Sequence, residues 1–344
     1  MIPQNFSNQV SALLMTAGYE EPFEFSLLTG GKNNRVFIVH QNAQSIGVLK
    51  QYYHQKADLR DRLDSEWRFL TFLWNNNIHQ IPEPIVSDPV SHIAFYSFID
   101  GKKLHPKKIT WDHIDQAIDF FNSLNSFRMS DSGRSLPNAS EACFSLGDHI
   151  RLVDRRIQKL ETIKGRSRMD KKARVFIDNE LLPVWKNVRT ASCQLIDDLH
   201  LIPDEEMSFN NRRLSPSDFG FHNALEDNCG KLFFLDFEYA GWDDPAKTIC
   251  DFFCQPAIPV PKRFLPVLID KITKDMDEPE IQCKRIDLLL PVYQIKWCCV
   301  VLNEFLPWGR SRRIFMDSDS DPDVIKEEQL RKASVIIQDV VENL

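Results

Sequence analysis

The chain of 344 residues contains no apolar run approaching the roughly 18–20 residues of a membrane-spanning helix. Its first ten residues, MIPQNFSNQV, lack the basic head and apolar core of a secretory signal. It also lacks any excess of positive charge. A formal net charge of -7 argues against nucleic acid as the main partner, because phosphate backbones select basic surfaces. The basic stretch at 151–174 interleaves Asp and Glu at helical spacing and reads as a solvated helix face. Its eight cysteines form neither a disulfide framework nor a zinc-ligand set. Cys250 and Cys254 can share a helix face and Cys298–Cys299 sit in an apolar run, so buried reduced thiols are expected, in a cytoplasmic protein. There is no internal repeat and no low-complexity segment.

What is present divides near Gly101. Before it, FEFSLLTGG, RVFIVHQ and SIGVLKQYY are short β-branched and aromatic runs separated by Gly and Asn turns. DLRDRLDSEWRFLTFLWNNN has the apolar spacing of an amphipathic helix. PEPIVSDP reads as a proline-rich connector and IAFYSFIDG as a further strand. After it the pattern is helical, as in WDHIDQAIDFFNSLNSF, RIDLLLPVYQIKWCCVVLNEFLPW and DVIKEEQLRKASVIIQDVVENL. The expectation is an α+β protein of two lobes. Residues 1–100 would form a β-rich lobe and residues 101–344 a helical lobe, with a cleft between them.

Two stretches carry candidate chemistry: LSPSDFGFHNAL at 214–225 and LDFEYAGWDDP at 235–245. Phosphoryl transfer needs a carboxylate to orient and deprotonate an attacking hydroxyl, and oxygen ligands to hold Mg²⁺ against the phosphates. Asp218 suits the first role, and Asn223 and Asp236 the second. Asp and Asn are common turn residues, so the information lies in the set and its spacing. Gly30 and Gly31, with Asn34, lie between two strands, where a hairpin can pass closely over phosphates. Lys50 lies inside an apolar strand and needs a partner or ligand there. Glu66 on the following helix is its candidate partner, with Asp64 a near competitor.

Together these segments resemble the aminoglycoside phosphotransferase and choline kinase superfamily, relatives of the protein kinases. The matching stretches, over roughly residues 20–255, are GGKNNRVF, Lys50, SPSDFGFHN, LDFEYAGWDDP and KTICDFF. The resemblance implies a two-lobed, protein-kinase-like fold and an ATP- and Mg²⁺-dependent transfer to a hydroxyl of a small acceptor, such as a sugar, an amino-alcohol or an aminoglycoside. It implies ATP contacts at Gly30, Gly31, Asn34 and Lys50, with Glu66 holding the lysine. A hinge at Ser97, Phe98 and Ile99 would receive the adenine edge. Asp251 would buttress the loop around Asp218, and Asp243 or Asp244 would stabilise a turn. Glu238 reads either as an aid to a second metal or the substrate or as a strand-end carboxylate. His222 reads as a loop filler. Trp297, Glu304, Trp308 and Arg310 are candidate acceptor contacts, with Trp297 better read as core.

The chain departs from the family pattern at Pro216 and Ser217, where that pattern has His and Gly before the Asp. Pro has no side-chain hydrogen bond to support the loop. The competing reading is therefore a nucleotide-binding pseudokinase that acts as an interaction module. A protein kinase is disfavoured by DFE in place of Asp-Phe-Gly and by the lack of an Ala-Pro-Glu segment after it.

Overall fold

Alternating apolar residues in the first hundred positions build one antiparallel sheet with strand order β1-β2-β3-β5-β4. Its strands are β1 (Glu24–Leu28), β2 (Arg35–Gln41), β3 (Gln44–Gln51), β4 (Pro84–Asp88) and β5 (Ile93–Tyr96). The computed structural model describes residues 4–28, 34–54, 60–307 and 321–343. Gly30, Gly31, Trp308 and Arg310 lie outside them. Asn42 and Ala43, at φ 51° and 62°, make the two-residue turn from β2 to β3, the left-handed pair that suits a twisted hairpin. The proline-rich connector is in fact β4. It lies at the sheet edge, where the missing N–H of Pro84 breaks no ladder.

The two faces of this sheet belong to different cores. Phe37, Val39, Leu49, Ile93 and Phe95 pack with Val10 and Leu14 of α1 (Gln4–Thr16), a helix not anticipated from the sequence. Ala94 and Tyr96 face the other way, towards α2 (Arg62–Asn75). Lys50 is the register partner of Ala94, so the pleat turns it to the α2 side as well. Asp61 caps α2 by accepting the Asp64 N–H at 2.9 Å, and the helix buries Leu63, Glu66, Phe69, Leu70 and Leu73. At Gly47 a Cβ would stand 2.2 Å from the Phe95 ring, so only glycine admits that packing.

The second lobe is helical. Its principal helices are α3 (Trp111–Ser126), the single turn α4 (Asp131–Arg134), α5 (Leu146–Glu161), α6 (Arg168–Phe176), α7 (Leu182–Asp198), α8 (Pro245–Cys254), α9 (Leu265–Thr273), α10 (Pro279–Val301) and α11 (Pro322–Asn343). α10 runs through the middle, with α5, α7, α8, α9 and α11 packed around it. By length and composition the stretch Pro279–Phe305 is apolar enough to cross a membrane, contrary to the reading from run length. Most of it is buried inside the lobe, which is how a central core helix meets the same criterion. Two small sheets, β6 (Lys102–Lys103) with β8 (Ala224–Glu226) and β9 (Leu232–Phe234), and β7 (Arg213–Ser215) with β10 (Gly241–Asp243), present the quoted motifs to the first lobe. All eight cysteines are free. Four are buried as expected, and Cys193 and Cys229 are exposed.

Asp244 anchors the helical lobe. It caps α8 through the Ala246 N–H at 2.7 Å and receives Arg285 and His149, the latter from Nε2 at 3.1 Å. His149 is fully buried, and its Nδ1 meets the Tyr293 hydroxyl at 2.7 Å. Burial alone would depress this imidazole, but the Cys143 sulfur and the Asp244 carboxylate outweigh it and raise its pKa to about 9. The Asp244 carboxyl lies well below the usual range because Arg285 and His149 overcome its burial. A raised histidine pKa stabilises the fold fully below the unfolded value of 6.5, and that contribution is lost as pH climbs through 9. Its size is on the order of 3 kcal/mol. The thermal midpoint should therefore fall between pH 7 and roughly pH 9.5 more steeply in wild type than in His149→Gln. Parallel curves for the two proteins would remove His149 as the cause.

Candidate functional site

One lysine gathers the site. Lys50 Nζ lies 2.6 Å from Glu66 Oε2 and 2.6 Å from Asp236 Oδ1, with its side chain 10% exposed. Burial would lower its pKa, but the Asp236, Glu66 and Glu238 carboxylates hold it well above the usual lysine value, so the ammonium stays charged. Glu66 does more than pair with Lys50. Its Oε2 also accepts the Tyr52 hydroxyl at 2.6 Å, and its Oε1 accepts the Phe237 N–H at 3.1 Å. Tyr52 in turn meets the Tyr96 hydroxyl at 2.6 Å. Burial and the Glu66 charge push both phenols up, so both keep their hydrogens to donate. Asp64 is exposed and pairs with Arg68 instead.

The segment 236–238 is the other side of this joint. Asp236 adopts φ 66° and turns its carboxylate to Lys50, and its side chain remains 34% exposed. Phe237 is buried against Phe69 of α2 and Phe120 of α3, with ring centroids 5.5 and 6.2 Å away. Glu238 differs from its expected role at a second metal. Its side chain is fully buried, accepts Asn34 Nδ2 at 2.6 Å and lies 3.9 Å from Arg62. It therefore clamps the strand that follows the 29–33 segment, and Asn34 Oδ1 continues the clamp to the Tyr53 N–H at 3.1 Å.

The Asp218 loop leaves β7 through Ser215, Pro216 and Ser217. Its support comes from hydroxyls. Ser217 N–H donates to Ser215 Oγ at 3.0 Å, Thr248 Oγ1 lies 2.7 Å from Ser215 Oγ, and Lys247 Nζ lies 3.5 Å from Ser217 Oγ. Asp251, the expected buttress, faces elsewhere. Lys296 binds both its oxygens, at 2.6 and 2.8 Å, and Trp297 Nε1 donates at 2.8 Å. The buttress on α8 is thus one turn earlier, at Lys247 and Thr248. Asp243 and Asp244 both stabilise the following turn, the first through Lys247 and the Cys143 N–H, the second as the α8 cap. Phe219 and Phe221 bury the loop against Phe252, each with a centroid distance of 5.1 Å.

Asn223 lies beside Asp236 because the Leu235 N–H donates to the Asn223 carbonyl at 2.8 Å. Its Nδ2 donates to the Asp218 carbonyl at 3.0 Å, which directs the amide oxygen away from that bond. An amide oxygen and a carboxylate on adjoining backbone are the hard, oxygen-only donors that Mg²⁺ takes, with water and phosphate completing the shell. These residues fit the ion. Ser97 continues β5 towards the second lobe, and both its N–H (3.0 Å) and its hydroxyl (2.8 Å) engage the Glu83 backbone. Its N–H is thus committed to Glu83, which leaves its carbonyl and its hydroxyl hydrogen for any nucleotide contact. Ile99 is half-buried two residues on.

No protein-family model and no curated protein matches the sequence. Solved structures do match the coordinates. A choline/ethanolamine kinase family protein from Mesorhizobium loti superposes with TM-score 0.58 at 16% identity, over 98% of this chain and 95% of that one. Spectinomycin phosphotransferase, solved with ADP and spectinomycin, gives 0.61 at 13% identity over 94% and 97%. Choline kinase LicA from Streptococcus pneumoniae gives 0.55 at 14% identity over 98% and 98%. The chain has their two-lobed, protein-kinase-like fold. Within that fold the residues missed by spacing are Tyr52, Tyr96, Arg62 and His222. Tyr52 had a signal, since it follows Lys50 by two residues and so shares its face of the chain.

Because Glu66 satisfies Lys50, Tyr52 and the Phe237 N–H together, removing it leaves Lys50 with Asp236 as its one close carboxylate and takes the acceptor from the Tyr52 hydroxyl and the buried Phe237 N–H. Glu66→Ala should lower stability in urea unfolding by about 3–5 kcal/mol, and Tyr52→Phe by only about 1 kcal/mol. A loss below about 1 kcal/mol for Glu66→Ala would show that the pair does not hold the lobes together.

Proposed function

We propose that the chain is an ATP-dependent small-molecule phosphotransferase whose acceptor is an alcohol. The observation that carries this is the convergence of Lys50, Glu66 and Asp236 at 2.6 Å contacts, with Asn223 joined by backbone to Leu235, the residue before Asp236, and by side chain to the Asp218 carbonyl. In this reading residues 1–100 are the nucleotide-binding lobe, with Gly30, Gly31, Asn34, Lys50, Ser97 and Ile99 around ATP. Residues 101–344 supply catalysis and the acceptor site. The eight free cysteines support a reducing, cytoplasmic setting.

Lys50 would neutralise phosphate oxygens while Glu66 keeps the ammonium in place. Asn223 and Asp236 would hold Mg²⁺, which when bound supplies positive charge against the phosphates. Asp218 accepts the hydrogen of the acceptor hydroxyl as its oxygen bonds the γ-phosphorus. The bond from that phosphorus to the bridging oxygen breaks, ADP leaves with the electron pair, and the proton rests on Asp218. Positioning and electrostatics do most of this work. The named substrates of the structural neighbours, choline, ethanolamine and spectinomycin, make hydroxylated amines the first acceptors to try, with sugars next.

ATP consumption across hydroxylated amines and sugars, wild type against Asp218→Asn, tests the proposal. Asp218→Asn should lower kcat by about 10²–10⁴-fold with nucleotide affinity little changed. Tight nucleotide binding with no acceptor-stimulated turnover would favour the pseudokinase, and no thermal shift with ATP or GTP would remove the nucleotide reading altogether.

A further inference from the structure

Pro216 leaves the position two before Asp218 without a side-chain hydrogen bond, yet the carboxylate is held by a different ring. His222, four residues later, places Nε2 3.1 Å from Asp218 Oδ1. Three features build this contact. The 3₁₀ turn Phe221–Asn223 is pinned by Phe221, which is fully buried and stacks edge-on with Phe252 and His113 at 5.1 and 6.1 Å. Gly220 lets the imidazole fold back, since a Cβ there would stand 2.7 Å from Nδ1. The ring is only 16% exposed, and Nδ1 is sealed from solvent with no hydrogen-bond partner. A buried N–H without an acceptor is costlier than a bare nitrogen, so the hydrogen belongs on Nε2, pointing at Asp218.

We infer that His222 is the positioning residue of the Asp218 carboxylate, taking over from the opposite side of the loop the support that Pro216 withholds. This rests on the phosphotransferase reading for what Asp218 does, but not for the contact itself. The same turn then holds Asp218 by its carbonyl, through Asn223 Nδ2 at 3.0 Å, and by its Oδ1, through His222. Both come from consecutive residues on the same turn, so the base and the amide ligand Asn223 are set by one element. The serines on the Pro216 side bind the loop backbone and α8, whereas the imidazole reaches the carboxylate itself.

The test is a substitution series at 222 with kcat and KM measured separately. His222→Ala should lower kcat roughly 10- to 100-fold, the scale of a misplaced reacting group, with KM for nucleotide and acceptor within about threefold. His222→Gln should recover most of that loss, because its Nε2–H reaches the place of the imidazole Nε2–H, whereas His222→Asn is too short and should behave like alanine. In an Asp218→Asn background His222→Ala should add less than about twofold, since both changes remove one function. Unchanged kcat in His222→Ala, equal loss in the Gln and Asn variants, or independent multiplication of the two mutations would overturn the inference. Should wild type turn over no acceptor, the phosphotransferase reading fails and imidazole ¹⁵N spectra still decide the contact. Hydrogen on Nε2 in wild type, with that preference lost in Asp218→Ala, upholds it; hydrogen on Nδ1 refutes it.

Discussion

The Glu66 carboxylate is the constraint on which the rest of the site depends. It is the point where β3, β5, α2 and the 236–238 segment are held to one another, through Lys50, Tyr52 and Tyr96 on one side and the Phe237 N–H on the other. Taking a carboxylate and an ammonium out of water costs several kcal/mol per ion, and a simple pair seldom recovers it. Here each oxygen of Glu66 has at least one donor and Lys50 faces two carboxylates within 2.6 Å. The burial is tolerated because the network is satisfied, and its directional bonds fix the two lobes in one relation. A hydrophobic substitute would pack as well but would leave no ammonium beside Asp236.

The second lobe repeats the device at a distance from the first. Asp243–Lys247, Asp244 with Arg285 and His149, and Asp251–Lys296 are buried ion pairs strung along α8 and α10. They explain why α8 is nearly all buried despite Lys247 and Asp251 in its sequence. They also determine what stands beneath the Asp218 loop. With Lys247 and Thr248 at its base, the loop rests on an element whose own position is fixed by charge. Shifting Ser215 or Ser217 would therefore disturb pairs buried well below them.

What was legible in the sequence was what the chemistry repeats at fixed spacing. Asp218, Asn223 and Asp236 stand out as oxygen-bearing side chains at two turns that the structure brings next to each other, and Lys50 because a charge in an apolar strand requires an answer. The two-lobe division was visible as a change of period from two to 3.6. Illegible were contacts between segments remote in sequence. Nothing near Glu238 signals Asn34, 204 positions away, and nothing near Asp251 signals Lys296, 45 away. Both acids looked available for metal or loop duty because their partners lie on other elements. β4 was hidden by proline, which reads as a connector unless one knows the strand is at an edge. His222 was four residues from Asp218 and still missed, since its role depends on Gly220 admitting the folded-back ring.

Two residues of the candidate site, one beside Asp218 and one at the Lys50 contact, are strained in the same way. Ser217, immediately before Asp218, and Asp236 itself adopt φ of 65° and 66°, the left-handed region where a side chain costs about 1–2 kcal/mol. Neither is glycine, although glycine would relieve the strain. At Asp236 the residue must carry a carboxylate. At Ser217 the hydroxyl lies 3.5 Å from Lys247 Nζ, and glycine would give that contact up. The chain thus accepts backbone strain at both ends of the site in exchange for functional side chains. The strain persists because the bonds around it are over-determined. The Ser217 N–H is tied to Ser215, and Asp236 is trapped between Lys50 and the Phe237 N–H bond to Glu66. Loosening those anchors would let each residue relax towards ordinary dihedrals and carry Asp218 or Asp236 out of line. The buried charges therefore act on the site's geometry before they act on any ligand.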